Sequence, residues 1–181
     1  MTPDELVDAL QRYRDRAAEA APAVAMAMAE TYQDHLTRVT LRRTYSVPGQ
    51  FGSPAPPGSP PSFRSGDLAR SVTRWPGASS GFTATAHVAP HTIYAAVQEY
   101  GKNIYARNFE YMHWHTLGGG DWWHRSGKYL GWGEAGEWWR KHVYVPPRPY
   151  LAPALADVIG DGSLLRSAAA EFRLATAGWW L

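Results

Sequence analysis

The stretch HVYVPPRPYLAPALADVIG, residues 142–160, contains the pattern of a strand and then that of a helix. Its start, 142–145, is mostly β-branched and aromatic, and Pro146-Pro147 ends it because proline cannot donate to a ladder. A helix is predicted next, with Pro149 in its first turn, since apolar residues recur at helical spacing until Gly160. These residues are Leu151, Leu155, Val158 and Ile159. A strand joined directly to a helix favours a fold that mixes both elements.

Both ends of the chain are predicted to be helical. Downstream of this stretch, a final helix is expected from Ser163 to about Ala175. Upstream, the first 43 residues carry one helical stripe, which Thr2 caps, with Glu5 three residues later. The stripe comprises Leu6, Leu10, Tyr13, Ala17, Ala20, Val24, Met28, Tyr32, Leu36 and Val39. Pro22 interrupts it, and we expect a kink or a break into two helices there.

The segment that follows the first helix has a different composition. Residues 46–62 are rich in Pro, Gly and Ser, which excludes a helix and favours either an extended arm or a surface loop. A turn at 65–68 and a short segment that ends near Trp75 come next. Strand formers dominate 82–88, and a short helix is expected over 93–100, stopped by the glycine that follows.

This order of elements indicates an α+β fold in one domain, 1–181, rather than a doubly wound sheet. We expect a long N-terminal helix (1–43) packed on a small, mostly antiparallel sheet. The remaining parts are an extended proline-rich arm (46–62), a Trp-rich insertion (103–141), and a strand with C-terminal helices (142–181).

Composition excludes several classes of protein. The 181 residues contain no Cys, so disulfides, thiolate zinc sites and Cys nucleophiles are excluded. The formal net charge of +2 is too small to argue for a nucleic-acid partner. No apolar run of about 18 residues and no signal segment is present, so we expect a soluble, unexported chain that does not enter a membrane.

Tryptophan is concentrated in one place. Six of the nine Trp residues lie between Trp114 and Trp139. Stacking of sugars or single-stranded nucleic acid is one use of such a segment, but few basic residues accompany it. Those residues are Arg125, Lys128, Arg140 and Lys141. Large aromatic residues are also the preferred anchors of protein interfaces, so we expect subunit contacts here.

The same segment contains the best candidate metal ligands. His113 and His115 lie two residues apart, which places them on one face of a strand, and Asp121 and His124 follow. A metal-dependent enzyme that uses His113, His115 and His124 is therefore an alternative of a different class. The spacing matches no specific metal motif, and no phosphate-binding loop or nucleophile elbow is present. We therefore expect no enzyme activity, no cofactor and no metal.

Three motifs lie in order along the chain. They are Pro60-Pro61-Ser62-Phe63-Arg64-Ser65-Gly66-Asp67-Leu68-Ala69-Arg70-Ser71-Val72, Tyr94-Ala95-Ala96-Val97-Gln98-Glu99-Tyr100-Gly101 and Pro147-Arg148-Pro149-Tyr150-Leu151-Ala152-Pro153-Ala154-Leu155. Together, after a long N-terminal helix, they resemble the minor tail-component (tail-completion) family of long-tailed bacteriophages. The resemblance spans roughly residues 5–160, and the chain departs from the family in the Trp-rich insertion.

The resemblance implies a virion protein of the neck or of the head-proximal end of the tail. Family members are small α+β subunits that form rings, commonly hexameric, around the DNA channel. The implied partners are sibling subunits, the adjacent neck, tail-terminator or tail-tube proteins, and DNA that passes through the lumen. A tail-terminator ring is the alternative position. A DNA-binding subunit would use Arg38, Arg42 and Arg43, which lie near the end of the first helix.

A set of residues is expected at subunit contacts. Glu99 would pair with an Arg of a neighbouring subunit, such as Arg64 or Arg148, because a guanidinium matches a carboxylate well at interfaces. An intrachain or solvated Glu99 is the alternative. The arm, through Pro56 and Pro57, is expected to reach an adjacent subunit or the next ring. The remaining expected contacts are Trp122, Trp123, Trp138 and Trp139.

Overall fold

The computed structural model of the chain describes residues 2–45, 55–105, 112–116, 120–123, 129–133 and 136–177, with the backbone alone for the strands between 112 and 140. Its helices are α1 (Pro3–Arg38), α2 (Asp67–Arg70), α3 (Ala95–Tyr100), α4 (Leu151–Gly160) and α5 (Ser163–Thr176). Its strands are β1 (Val72–Ser80), β2 (Thr83–Pro90), β3 (Lys102–Tyr105), β4 (Met112–Thr116), β5 (Gly120–Trp123), β6 (Tyr129–Gly133), β7 (Gly136–Arg140) and β8 (His142–Val145). The expected α+β fold is confirmed, with a long N-terminal helix, antiparallel strand pairs and C-terminal helices.

Helix α1 begins as its sequence predicts. The backbone N–H of Thr2 donates to Glu5 Oε2 at 2.6 Å, and the backbone N–H of Glu5 donates to Thr2 Oγ1 at 3.3 Å. Each side chain thus satisfies an N–H group that has no partner inside the helix. A single turn of 3-10 helix, Thr40–Arg42, follows α1.

Pro22 does not divide α1, so of the two expected outcomes, a kink or a break, the break into two helices is wrong and the kink stays a prediction. The helix runs from Pro3 to Arg38 with Pro22 inside it. An interior proline costs a helix about 3 kcal/mol through a lost donor and a steric clash. The flanking sequence is rich in alanine, the residue that favours helix most, and Ala17, Ala20 and Ala29 are buried. Propensity and burial on both sides of Pro22 offset its cost.

The stripe along α1 is buried only in its later part. Ala17, Ala20 and Leu36 are buried, whereas Leu6 and Leu10 are about half exposed, as is Val39 after the helix. The first three turns of α1 therefore leave their apolar residues uncovered by the described part of the chain.

The described chain divides into two compact units. The first contains the chain up to Leu36, Val72–Pro90 and the chain from Ala154 onward. Within it, Gln33 Nε2 donates to Val72 O at 2.8 Å, Arg74 bonds to Glu30 and Gln33, and Ser167 Oγ donates to Ala27 O. The expectation of a single domain over 1–181 stays a prediction.

The first unit contains the hairpin β1–β2. Its strands pair antiparallel from Val72↔Pro90 to Ser80↔Thr83. The segment expected to end near Trp75 continues to Ser80, so that boundary is wrong. Pro76 is accommodated because the register shifts between Pro76 and Ser79, and irregular pairing tolerates a missing donor.

The second unit contains residues 37–71 and 91–153. Three antiparallel strand pairs are nested in it: β3 pairs with β8, β4 with β7, and β5 with β6. The predicted strand 142–145 is confirmed as β8. We call the strands β4 to β7 the Trp ribbon. Because Tyr105 pairs with His142, the residues that flank the Trp-rich segment on either side lie directly opposite each other.

Of the proline-rich segment 46–62, residues 46–54 lie outside the described residues, and residues 55–62 contact other parts of the same chain. Ala55 is buried, and its carbonyl accepts a hydrogen bond from Arg148 Nε at 2.9 Å. The N–H of Gly58 donates to Pro147 O, also at 2.9 Å. Residues 55–62 are thus bound to the chain's own segment around Arg148.

The C-terminal helices are confirmed, as is the short helix before Gly101. Pro149 lies just before α4 rather than in its first turn. Pro153 is the third residue of α4, where a backbone N–H has no partner inside the helix, so its missing donor costs nothing there. Within the described ranges, no helix has both the length and the hydropathy needed to span a membrane.

Candidate functional site

The three sequence motifs lie together in the second unit. We call their parts in that unit, residues 60–71, 94–101 and 147–153, the motif cluster. The second and third parts are joined by hydrogen bonds, and the first and second parts line one groove. Segments distant in sequence are therefore built into one local structure.

Glu99 connects the second part of the motif cluster to the third. Its side chain is buried, and its Oε2 accepts hydrogen bonds from the backbone N–H groups of Tyr150, at 2.9 Å, and Leu151, at 3.2 Å. Helix α4 begins at Leu151, so the Glu99 carboxylate caps the positive end of that helix from another segment. A hydrogen bond to a charged group contributes about 1.5–3 kcal/mol. Both bonds are made within the chain, which agrees with the alternative expectation that Glu99 has an intrachain role.

Tyr150 and Arg148 strengthen the same junction. Tyr150 is fully buried, and its hydroxyl donates to Ala95 O at 3.3 Å. The backbone N–H of Arg148 donates to Gln98 O at 2.6 Å. The segment that leads into α4 is thus held along the length of α3.

Gly101 allows the two segments to approach this closely. Its φ is +68°, a left-handed value that glycine adopts without strain. A Cβ at this position would lie 2.8 Å from Pro147 N and 2.9 Å from Val145 O, closer than non-bonded atoms approach. Because both obstacles are backbone atoms, the junction requires glycine here.

Arg148 is held within its own chain. Its Nε donates to Ala55 O at 2.9 Å, and burial lowers the pKa of its guanidinium group. Glu99 and Arg148 therefore both lie in the motif cluster. In the bonds given above, however, each side chain binds a backbone group rather than the other side chain. Arg64, the other expected partner of Glu99, is exposed and lines the groove described below.

In the first part of the motif cluster, three polar side chains just before β1 are joined by hydrogen bonds. Asp67 Oδ2 accepts from Ser65 Oγ, and Asp67 Oδ1 accepts from Arg70 Nη2, both at 2.5 Å. The Ser65 hydroxyl, and secondarily Arg70, lower the pKa of the Asp67 carboxyl group. Gly66 has a φ of +80° and forms the N-cap of α2.

An open groove of about 240 Å³ lies between the first and second parts of the motif cluster. Its apolar lining comes from Leu41, Pro61, Phe63, Leu68 and Tyr94. Gln98 also lines it, and its Oε1 is buried without a hydrogen-bond partner in the described part of the chain. Arg64 and Asp67 line it as well, so the groove combines apolar and charged side chains.

The four expected Trp contacts lie in the Trp ribbon. Trp122 pairs with Gly131 and Trp123 with Tyr129, while Trp138 pairs with Trp114 and Trp139 with His113. Successive residues of a strand belong to opposite faces. In the regular β4–β7 pair, Trp138 and Trp139 therefore belong to opposite faces, so both faces of this pair carry tryptophan, whereas the β5–β6 register shifts between Trp122 and Trp123.

The histidine cluster is divided by the strand pairing. His113 and His115 lie in β4, Asp121 lies in β5 opposite Trp132, and His124 lies outside the described residues. The residue opposite His115 is Glu137. Sequence reasoning gave Glu137 no role with these histidines, because spacing does not show the register of a long ribbon. No group of three possible metal ligands occurs where side chains are described, a range that does not include 106–140.

The basic residues near the end of α1 are exposed. Arg38, Arg42 and Arg43 all face solvent, and the Arg42 guanidinium lies 5.3 Å from the centre of the Phe63 ring. This cation–π contact gives Arg42 a role within the unit.

Comparison of the chain with models of protein families, with curated proteins and with solved structures gave no match.

Proposed function

We propose that the chain is a structural virion protein that forms a ring, with six subunits the expected number, at the head–tail junction or the head-proximal tail end of a long-tailed phage. The resemblance of its three motifs to the tail-completion family supplies the location. The exposed apolar side chains of both units support the proposal that the chain assembles with copies of itself.

Many large apolar side chains are exposed in each unit. In the second unit, Ile93 is 99% exposed and Tyr100 is 76% exposed. In the first, Leu165 is 75% and Leu174 is 72% exposed. The largest fully buried side chains within the described ranges are those of Tyr150, Leu36, Val158 and Thr40. Exposed side chains of this size are available for contacts with partners, which cover apolar area on assembly.

The contacts of the motif cluster support the resemblance. The residues that match the motifs include those that make its long-range bonds, such as Glu99, Arg148 and Tyr150. A chance match would have no reason to select residues that meet in space. The motifs therefore have a common structural purpose, which is to fix the segments around α3.

A closed ring requires that each subunit present two different surfaces that fit each other. In this proposal the Trp ribbon supplies one of them, because tryptophan on both faces of its β4–β7 pair favours contacts with other chains. The exposed apolar residues of the two units supply further contact surface. Adjacent neck or tail proteins, and DNA in the lumen, are the partners of the assembled ring.

The test combines the purified protein with the virion. Native mass spectrometry and electron microscopy of the full chain should reveal a closed ring, expected to be hexameric, either alone or with its neck partners. Purified virions of the phage or prophage that encodes the chain should contain it at a fixed low copy number. A chain that is absent from those virions would contradict the proposal.

Loss of the protein distinguishes the neck from the tail terminator. Without a neck ring, heads and tails of normal length should accumulate unjoined. Without a terminator ring, tail tubes should lose their length control and become too long. Electron microscopy of particles from a strain with the coding region disrupted decides between the two positions.

A further inference from the structure

The register of the Trp ribbon brings together three residues with metal-binding side chains. Strand β4 carries His113 and His115, and β7 pairs with it antiparallel. His113 lies opposite Trp139, and His115 lies opposite Glu137. Directly paired residues of an antiparallel ladder share a face, and so do residues two apart on one strand. His113, His115 and Glu137 therefore belong to the same face.

The general dimensions of a β-ladder suit a single bound ion. Residues two apart on a strand are separated by about 6.6 Å along it. Directly opposite Cβ atoms are about 4.5–5.5 Å apart, and diagonal neighbours such as His113 and Glu137 about 7–8 Å. The register thus places the three residues close together on one face, and histidine and glutamate are residue types that bind transition-metal ions.

We propose that His113, His115 and Glu137, which the β4–β7 register places on one face, bind one divalent transition-metal ion. Two imidazoles and one carboxylate suit Zn²⁺ and neighbouring metals such as Co²⁺ and Ni²⁺, whereas Ca²⁺ and Mg²⁺ prefer oxygen ligands alone. Three protein ligands leave a position for water.

This ligand set differs from the one that sequence spacing suggests. Asp121 lies in a different strand pair, opposite Trp132, and His124 belongs to neither β4 nor β7. Glu137 replaces both because it is the residue paired with His115.

The ion would join the two strands of the ribbon. His113 and His115 lie on one strand and Glu137 on the other, so one ion crosslinks residues far apart in sequence. Binding to the folded ribbon and not to the unfolded chain stabilises the folded form. The site requires only the ribbon, so it does not depend on the proposed ring function.

The first test uses the full chain, stripped of metal with EDTA and titrated with Zn²⁺ in a calorimeter and with Co²⁺ by visible absorption. One equivalent should bind per chain. His113→Ala, His115→Ala and Glu137→Gln should each weaken binding by more than the roughly 10- to 100-fold caused by loss of an outer-shell partner. A wild-type chain that binds no stoichiometric metal overturns the proposal.

Asp121→Asn and His124→Ala are the matched controls. Each removes a ligand type from the same Trp-rich segment, and each should bind Zn²⁺ as the wild type does. If His124→Ala weakens binding as much as His113→Ala while Glu137→Gln does not, the site is the His113, His115 and His124 set and this assignment is wrong.

If the variants fail to fold, a measurement on the wild type tests the proposed set of metal ligands. The chain contains seven histidines, so imidazole nitrogen resonances can be followed while Zn²⁺ is added. Two histidines should show the large shifts of metal ligation. Three shifted histidines, or none, overturn the proposed set.

Discussion

Glu99 is the side chain on which the junction between α3 and α4 depends. Glu99→Ala would leave the buried N–H groups of Tyr150 and Leu151 without their acceptor. We expect a loss of about 2–3 kcal/mol in the free energy of unfolding, and about 1 kcal/mol for Glu99→Gln, which keeps an acceptor oxygen but loses the charge. Urea denaturation measures both.

Glu19→Ala is the control, because Glu19 is exposed on α1 and such surface changes stay within about 0.5 kcal/mol. If Glu99→Ala costs no more than Glu19→Ala, the carboxylate does not stabilise the junction.

Gly101 tests the close approach of the backbone at the same junction. Gly101→Ala adds both left-handed strain and a clash with the backbone of Pro147, and should cost about 2–4 kcal/mol. Gly81→Ala has strain alone, since its φ is +54° and open space surrounds its added Cβ, so about 1 kcal/mol is expected. Thermal unfolding of the two variants isolates the steric contribution, and equal costs would exclude it.

Asp67 supplies a prediction about pH. Its pKa is lowered, chiefly by the Ser65 hydroxyl and secondarily by Arg70. Because the folded pKa lies below the unfolded value of 3.8, the associated stability is present above that value and is lost as pH falls through the folded pKa. An NMR titration should give Asp67 a pKa below 3.8, and both Ser65→Ala and Arg70→Ala should raise it, because each variant removes a hydrogen bond to the carboxylate. An Asp67 pKa that neither variant raises would contradict these causes.

Residue roles were predictable from sequence where their partners are local. The mutual bonds of Thr2 and Glu5 follow from a spacing of three residues at a helix start. The partners of Glu99 did not follow, because nothing in a short helix shows which distant N–H groups its carboxylate will meet. The sequence suggested an Arg partner for Glu99, whereas the bonds found are to backbone N–H groups.

At the scale of elements, the pairing of β3 with β8 allows a test of the Trp ribbon by deletion. Tyr105 and His142 are directly paired, so residues 106–141 can be replaced by an Asn-Gly turn that closes β3 onto β8. We expect this deletion variant to unfold cooperatively and to fail in ring assembly. Circular dichroism and light scattering after gel filtration measure the two properties.

A finer version of the same experiment replaces four tryptophans of the ribbon by Ala: Trp122, Trp123, Trp138 and Trp139. It should impair assembly more than folding of the monomer. Trp75→Ala is the control, since Trp75 stacks on His87 in the first unit, at 5.4 Å between ring centres. Loss of cooperative unfolding in the ribbon variants would instead place these tryptophans in the core.

Most element boundaries followed from local pattern, and the exceptions involve proline. Strand β8 and helices α3 to α5 were predicted within a few residues because apolar periodicity and terminating residues coincide there. At Pro22 and in residues 55–62 the sequence left alternatives open, because proline constrains the backbone without fixing its neighbours. Burial of alanines keeps α1 continuous, and bonds to Pro147 and Arg148 fix residues 55–62.

At the scale of the whole molecule, the proposed assembly predicts that exposed apolar residues contact other subunits. The start of α1 offers a direct test of this prediction. Leu6 and Leu10 are 48% and 51% exposed, and lie one helical turn apart. A monomer gains little stability from side chains that are already in contact with water, whereas an interface gains from covering them. The double variant Leu6→Gln, Leu10→Gln should therefore unfold within about 0.5 kcal/mol of the wild type.

The same variant should weaken assembly, which sedimentation velocity measures as a shift of the subunit–ring equilibrium to higher concentration. Ala17→Gln is the matched control on the same stripe of α1. Ala17 is buried, so a larger polar side chain there should destabilise the monomer itself by about 1–3 kcal/mol. If the double variant assembles like the wild type, the first turns of α1 face solvent in the assembly, and the ring contacts must come from the Trp ribbon and the other exposed apolar residues.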